Sequence, residues 1–333
     1  MVPLEAGVAI VVPAAVALPH LLPLHAVRPA TAALVWLSAL AVRALIAIGG
    51  ALFTFVYMPQ TGVYDAVAHW CWHEIVPAVT AHLGLSGHPV IHAAILLPGL
   101  ALAASLLWLM FGFARAWLLL RARLRMAVGV GPLGSTVIED RDVVVGVTQV
   151  GRGRIVVSRR TFGVMDSSEL EASLSHELGH IDRRHRPLLL VAAVLVALGR
   201  LLPGTARAER ELRFSLERDA DEYAVRRTRD PLALASAICK AATARPLAAA
   251  VGLGGGGRVA LRLDYLSGRA PRASRALERS ARGLGVALVL IALGLSATLP
   301  SWALTLPSSE HTLSDAGSHC PATTQTVRAS YPV

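Results

Sequence analysis

Four long apolar stretches constrain this chain more than any other feature of its sequence. They cover about residues 6–24, 31–57, 90–113 and 283–300. A helix needs roughly 20 apolar residues to cross a hydrocarbon core of about 30 Å, and each stretch is close to that length. The whole chain is 54% hydrophobic, with a mean hydropathy of +0.55. The sequence therefore predicts a mainly α membrane protein with about four transmembrane helices.

The distribution of arginines predicts how these helices are oriented. Residues 59–89 contain no Lys or Arg, whereas arginines follow the stretch 90–113 and precede the stretch 283–300. By the positive-inside rule, residues 59–89 and both termini face the outside of a cell membrane, and the region between the third and fourth helices is cytoplasmic. The net charge of +10 has the same origin, so nucleic acid binding is not expected. The predicted division is a three-helix membrane region (1–113), a cytoplasmic domain (114–282), a fourth helix (283–300) and a short extracytoplasmic tail (301–333).

A charged residue, Arg43, lies inside the second apolar stretch. It either has a function within the membrane or extends its long side chain to the headgroups, and the second explanation is favoured.

The cytoplasmic domain contains the pattern His-Glu-x-x-His at His176, Glu177 and His180. Asp166 followed by Glu169 is a capping box, which predicts that a helix begins there and carries the pattern. The two histidines lie one turn apart on one face and can hold one Zn²⁺, while Glu177 beside them can accept a proton from water. A catalytic zinc keeps an open coordination position, so the pattern predicts a hydrolase.

A third ligand is expected from an amphipathic helix predicted over about Thr205–Arg227. Glu217 and Asp221 lie four residues apart on it, which suits one carboxylate on a metal and a second one on a histidine N–H. The alternative is a solvated face of acidic and basic side chains. His185 is excluded as a ligand because, on a continuous helix, it lies about 140° around from His180. We expect it at the surface.

The residues Ser-His-Glu-Leu-Gly-His at 175–180, together with Glu217 and Asp221, resemble the membrane gluzincin zinc metallopeptidases over about residues 135–245. The resemblance implies one zinc ion held by His176, His180 and Glu217. It implies Glu177 as the catalytic base and Asp221 as a residue that orients a ligand. The expected partners are a protein or peptide substrate, with a transcriptional repressor as one candidate, and the lipid bilayer.

Two branches of these peptidases compete, the BlaR/MecR antirepressor type and the HtpX/CAAX prenyl endopeptidase type. Residues 188–198 are apolar but too short to cross a membrane. A single crossing there would also separate Glu217 from His176. The HtpX type is expected to have two spans at this position, so the antirepressor type is favoured and a quality-control or processing protease is the alternative. A metal-sensing receptor without proteolysis is less favoured because Glu177 is present.

Two short strands are predicted before the motif helix, at Val143–Thr148 and Arg154–Ser158. The second of these could take up a substrate as an added β-strand. Tyr223 is a weak candidate for stabilising an oxyanion.

The three cysteines form no zinc-type pair. Cys71 and Cys320 are both expected outside, where they could form a disulfide, and Cys239 is expected as a buried, reduced thiol. The Gly254–Gly257 run is expected to be a flexible connection, and the arginines at 258–282 to hold a helix against anionic lipid. Histidines near Cys71 and Cys320 could form a second metal site, although an aromatic membrane belt is the favoured explanation; they are His69, His73, His82, His88, His92, His311 and His319.

Overall fold

The computed structural model describes residues 13–56, 89–125, 127–140, 144–148, 154–242, 250–252, 259–269 and 274–304. These residues are mostly helical and include one small sheet. Residues 13–21 are helical, and the labelled helices are α1 (Pro29–Val56), α2 (Pro89–Leu124), α3 (Thr161–Val164), α4 (Ser167–Asp182), α5 (His185–Leu198), α6 (Thr205–Thr228), α7 (Pro231–Ala242), α8 (Val259–Leu266) and α9 (Arg275–Leu304).

Three of the described helices, α1, α2 and α9, are long and apolar enough to cross a membrane. They correspond to the predicted stretches 31–57, 90–113 and 283–300. The apolar part of α2 contains an 18-residue window without a buried residue, and large side chains such as Trp108 and Phe111 are exposed on this helix. A surface of this kind is suited to lipid and not to water, so the protein is membrane-associated. The predicted first stretch, 6–24, lies only in part within the described residues.

The sheet is formed by β1 (Ala127–Val130), β2 (Thr136–Ile138), β3 (Val145–Thr148), β4 (Ile155–Ser158) and β5 (Ala250–Gly252). The order of these five strands in the sheet is β1-β2-β4-β3-β5. The two predicted strands are confirmed as β3 and β4, which pair antiparallel. β2 joins the other side of β4 in parallel, so β4 has a neighbour on each side. The hypothesis that this strand takes up a substrate is therefore wrong, since its backbone groups are already paired within the sheet.

One hydrophobic core joins the long apolar helices α1 and α9 to α5 and α6. Val35 and Ala39 of α1 are fully buried in the same cluster as Leu212 and Leu216 of α6. α5 packs between α1, α2 and α6, and α9 packs along α1. Residues 188–198, which are too short to cross a membrane, lie within the single helix α5, and α6 packs against α4 beyond it.

A second core lies between the sheet, α4 and α7. Leu174 of α4 is 2% exposed, and it shares this cluster with Val157 of β4 and Leu234 of α7. The predicted capping box is confirmed: Asp166 Oδ1 accepts from the Glu169 backbone N–H at 2.9 Å, and Glu169 Oε2 accepts from the Asp166 N–H at 2.9 Å. Both interactions satisfy donors that the start of a helix leaves unpaired.

Arg43 does not reach toward headgroups. Its side chain is fully buried, and its guanidinium donates to the carbonyls of Ala39 (3.0 Å) and Val16 (2.7 Å). One nitrogen also lies 2.8 Å from His20 Nε2. The arginine stays inside because backbone carbonyls from two segments satisfy its donors, which links α1 to residues 13–21.

Cys239 is a free and exposed thiol on α7, which corrects the expectation that it is buried. Its neighbours Ala237 and Ile238 occupy the buried face, and Cys239 follows them on the outer face. The predictions about Cys71, Cys320, the Gly254–Gly257 run and the histidines of the outer loop and tail fall outside the described side chains.

Candidate metal centre

The two histidines of the pattern lie on one face of α4 and point at the same place. His176 is fully buried and His180 is 2% exposed. Their Nε2 atoms lie 3.2 Å apart, and their rings meet nearly edge to face with centroids 4.9 Å apart. The one-turn spacing on a capped helix is sufficient to produce this arrangement, because residues i and i+4 share a face.

Glu217 of α6 completes the group. Its Oε2 lies 3.5 Å from His176 Nε2, and its Oε1 lies 3.5 Å from His180 Nε2. α6 packs directly against α4, so the predicted carboxylate does reach the histidines. The three residues offer ligand atoms that all lie within 4.8 Å of one another.

These distances suit a tetrahedral metal ion. Two ligands about 2.0–2.1 Å from zinc at a tetrahedral angle lie about 3.4 Å apart, and the ligand atoms in this chain are separated by 3.2–3.5 Å. Two imidazoles and one carboxylate are also the donor set of a catalytic zinc site with a position left open. The residues present therefore fit zinc.

Asp221 lies behind His176, one turn after Glu217. Its Oδ1 is 2.9 Å from His176 Nδ1, so the imidazole can present Nε2 to the metal position. Arg262 of α8, which is 3% exposed, approaches both carboxylates. It donates to Asp221 at 2.6 and 2.8 Å, and its Nη1 lies 3.0 Å from Glu217 Oε2. One buried arginine therefore fixes the spacing of the two acidic side chains.

His185 is buried, not exposed, which corrects the prediction that it lies at the surface. The prediction assumed a continuous helix, but α4 ends at Asp182 and Arg184 adopts a left-handed conformation with φ 54°. The chain turns there, and His185 begins α5 with its Nδ1 2.9 Å from His180 Nδ1. His185 Nε2 in turn lies 3.1 Å from Asp219 Oδ2.

This arrangement gives each metal-facing histidine its own supporting carboxylate. Asp221 contacts His176 directly, whereas Asp219 reaches His180 through His185. If His180 ligates through Nε2, its Nδ1–H donates to His185, and His185 Nε2–H donates to Asp219. The sequence interpretation missed His185, Asp219 and Arg262.

The charges of the centre are strongly coupled. Burial lowers the pKa of His176, but hydrogen bonds to Asp221 and Glu217 outweigh burial and raise the pKa to about 9. Burial, together with the positive charges nearby, lowers the pKa of His180 to about 3. Burial raises the pKa of Glu217, yet Arg262 and the histidines bring it down to about 2. Glu217 is thus ionised, and His176 must release a proton before it ligates a metal.

Glu177 is fully buried beside these ligands. Its negative charge also contributes to holding the pKa of Arg262 above the ordinary arginine value, after the larger contributions of Asp221 and Glu217. Glu177 is not one of the three residues that offer ligand atoms, and a carboxylate is a type of group that can transfer protons.

Tyr223 has a packing contact instead of a place among the metal-facing side chains. Its hydroxyl donates to Asp182 Oδ2 at 2.5 Å. A Cβ added at Gly179 would lie only 3.1 Å from Tyr223 Cβ, so the glycine permits the close approach of α6 to α4. The structure therefore gives no support to Tyr223 as an oxyanion-stabilising residue.

The capped His-Glu-x-x-His helix, the glutamate from a second helix and the small sheet beside them are features that this chain shares with metallopeptidases. The sequence model of Peptidase family M48 matches residues 144–290, which span β3 to the first half of α9 and include the whole centre. Over these residues the chain is similar to the M48 metallopeptidases, which depend on a metal that is usually zinc. No curated protein matches the chain in a sequence search.

Proposed function

We propose that this protein is an integral membrane, zinc-dependent endopeptidase that hydrolyses peptide bonds at the cytoplasmic face. The observation that carries the proposal is the convergence of His176, His180 and Glu217 around one point, with Glu177 buried beside them. The three apolar helices support membrane insertion. The arginines at the end of α2 and the start of α9 support a cytoplasmic location for the centre.

The chain's own residues divide the reaction between them. Zinc, when bound, supplies Lewis acidity that polarises a carbonyl and acidifies water. Glu177 accepts the proton of the attacking water and returns it to the amine that leaves, so its charge is restored after each cycle. Asp221 and the His185–Asp219 pair hold the two imidazoles in orientation. Arg262 keeps Glu217 and Asp221 ionised and apart.

A Glu177→Gln variant tests this proposal. We expect it to retain zinc and its folded state but to lose about 10²- to 10⁴-fold in the cleavage rate of a peptide library, because it cannot accept a proton. Glu171→Gln, at an exposed position of the same helix, is the matched control and should keep full activity. Full activity of Glu177→Gln with zinc bound contradicts the mechanism.

We further propose that the enzyme is a signal-transducing peptidase of the BlaR/MecR antirepressor type. Between His180 and Glu217 the chain has one apolar helix, α5, of 14 residues. This length supports the antirepressor arrangement because it leaves no room for two membrane spans. A cytoplasmic transcriptional repressor is the substrate that this proposal predicts.

A second candidate is an HtpX-like quality-control or processing protease. It is favoured by the direct packing of the Glu217 helix on α1, which places the centre close to the apolar helices. Proteomic comparison of cells carrying the wild type with cells carrying Glu177→Gln separates the two. One soluble DNA-binding protein that accumulates uncleaved supports the antirepressor type, whereas many uncleaved membrane proteins support quality control.

A further inference from the structure

A cavity of about 790 Å³ lies next to the metal centre and shares Asp221 with it. It is bounded by the residues that precede α1, by α6, by the end of α8 and by the first turns of α9. Asp221 contributes to one wall, but His176, Glu177 and His180 do not line the cavity. Six arginines line it, namely Arg28, Arg218, Arg226, Arg275, Arg279 and Arg282.

The three carboxylates that share this lining are already engaged. Glu278 accepts from the Arg28 backbone N–H at 3.1 Å, from the Thr31 hydroxyl at 2.7 Å and from Arg282 at 3.2 Å. Asp221 is paired with Arg262, and Glu222 lies 3.4 Å from Arg226. The acidic groups therefore leave part of the positive charge uncompensated.

Three arginines carry this excess of charge. Arg28, Arg275 and Arg279 are exposed, and no carboxylate of the described residues lies within 4.0 Å of their guanidinium groups. Arg218 is fixed deeper inside, because it donates to the carbonyls of His25 and Val27 and stacks on the Tyr265 ring at 3.9 Å. Guanidinium groups arranged around one space recognise the oxygens of a phosphate well.

The position of the cavity favours one source of phosphate, the headgroups of a bilayer. α1 and α9 both begin at the cavity, and Glu278 of α9 joins the first turn of α1 there. The apolar parts of both helices, Pro29–Phe53 and Arg275–Ala297, begin at the end of the helix that lies at the cavity. If these helices cross a bilayer, the arginines lie at the depth of the headgroups, where basic pockets between helices bind anionic lipids.

We propose that this cavity binds the phosphate headgroup of an anionic phospholipid of the cytoplasmic leaflet. The proposal rests on the membrane insertion of α1 and α9, not on the peptidase activity. Apolar walls beside the arginines suit the glycerol and the first acyl carbons of such a lipid, and Val27, Val225 and Leu266 form part of them.

The test uses the full chain in nanodiscs of phosphatidylcholine, with or without phosphatidylglycerol, and native mass spectrometry to count retained lipids. We expect the wild type to retain phosphatidylglycerol in preference to phosphatidylcholine. The double variant Arg275→Gln/Arg279→Gln should bind it about 10- to 30-fold more weakly, since each arginine near the surface contributes to the attraction of anionic lipid. The matched control, Arg160→Gln/Arg210→Gln, removes the same charge at exposed positions outside the cavity and should bind like the wild type.

Other outcomes overturn the proposal. Equal retention of phosphatidylglycerol by all three proteins means that the cavity does not select the lipid. Stabilisation by inorganic phosphate in pure phosphatidylcholine, lost in the double variant, assigns the site to a soluble phosphate. Unchanged lipid retention with loss of acidic substrate cleavage assigns the arginines to substrate recognition. Lipid retention is measured without turnover, so a failure of the proposed peptidase function does not affect the result.

Discussion

His185 Nδ1 lies 2.9 Å from His180 Nδ1, although the two residues belong to different helices. His180 thereby gains a hydrogen-bond partner on the side of the ring that faces away from the metal position. Replacing His185 with Ala removes this partner and frees the ring to rotate. We expect zinc affinity to fall about 10- to 100-fold, as for other residues that orient a ligand, measured by competition with a chelator.

The matched control for this prediction is His25→Ala. His25 is an exposed histidine, and its side chain is outside the metal centre, so zinc affinity should not change. Asp219→Asn should give a smaller loss than His185→Ala, because the amide oxygen can still accept from His185 Nε2. Unchanged zinc affinity in His185→Ala would show that packing alone orients His180.

Replacing Arg262 should have a large effect on the free energy of unfolding, because of its two ion pairs. It is 3% exposed and is paired with both Glu217 and Asp221, so Arg262→Gln takes a buried positive charge away from both carboxylates and leaves protonated His176 to offset them. We expect the metal-free protein to lose about 3–5 kcal/mol of folding free energy. Thermal unfolding in detergent, followed by circular dichroism, measures the loss.

Arg213→Gln is the control for Arg262. Its side chain is 46% exposed and pairs with Glu209 on the surface of α6, where an ion pair contributes less than about 1 kcal/mol. Similar melting temperatures for the two variants would mean that the buried pair contributes no more than the surface one.

Gly179 permits two helices to approach each other at the metal centre. Alanine at this position would place a Cβ 3.1–3.2 Å from three atoms of Tyr223, whose hydroxyl is held by Asp182. Overpacking costs about 1–3 kcal/mol, which exceeds the gain of about 1 kcal/mol from replacing a helical glycine. Gly179→Ala should therefore lower the free energy of unfolding.

A double-mutant cycle isolates this contact. In a Tyr223→Ala background the ring is gone, so Gly179→Ala should become less destabilising or stabilising. Gly163→Ala, where an added Cβ meets nothing within 4 Å, is the control for the substitution itself. Additive effects in the cycle would contradict a direct contact between the two positions.

The local parts of the centre were predictable from sequence because their signals are local. Asp166 and Glu169 lie three residues apart and form a capping box by themselves, and His176 and His180 share a face through the helical repeat alone. The spacing of Glu217 and Asp221 likewise follows from one helix. That this helix packs on α4 is a tertiary fact, which the sequence supports only through the short length of α5.

His185 and Arg262 were missed because a chain reversal places the first, and a contact between residues far apart in sequence places the second. The turn at Arg183 and Arg184 contains neither glycine nor proline, so the helix appeared continuous through His185. Pro187, in the first turn of α5, was the signal that a new helix had begun. Arg262 is 41 residues from Asp221 in sequence and has no local pattern that indicates its role.

The hydrogen bonds between Glu169 of α4 and two side chains of α7 predict that the stability of the protein depends on pH. Glu169 is 4% exposed, and its carboxylate accepts from Lys240 Nζ at 2.6 Å, from Ser236 Oγ at 2.5 Å and from the Asp166 N–H at 2.9 Å. Burial raises the pKa of Glu169, but these three donors outweigh it and hold the pKa below the ordinary value of 4.5. A depressed pKa means that the folded protein favours the ionised form.

Because protonation of Glu169 is linked to folding, the direction of its pKa shift sets how stability changes with pH. Because the folded pKa of Glu169 is lower than the unfolded one, its contribution is complete above about the ordinary value and is lost as the pH falls through the folded value. Glu169→Gln should cost about 1–3 kcal/mol at neutral pH, since it removes charged hydrogen bonds. The difference from the wild type should shrink as the pH falls below 4.5. Glu171→Gln, at an exposed position of the same helix, should leave the pH profile of unfolding unchanged, and a Glu169→Gln profile parallel to the wild type would refute the argument.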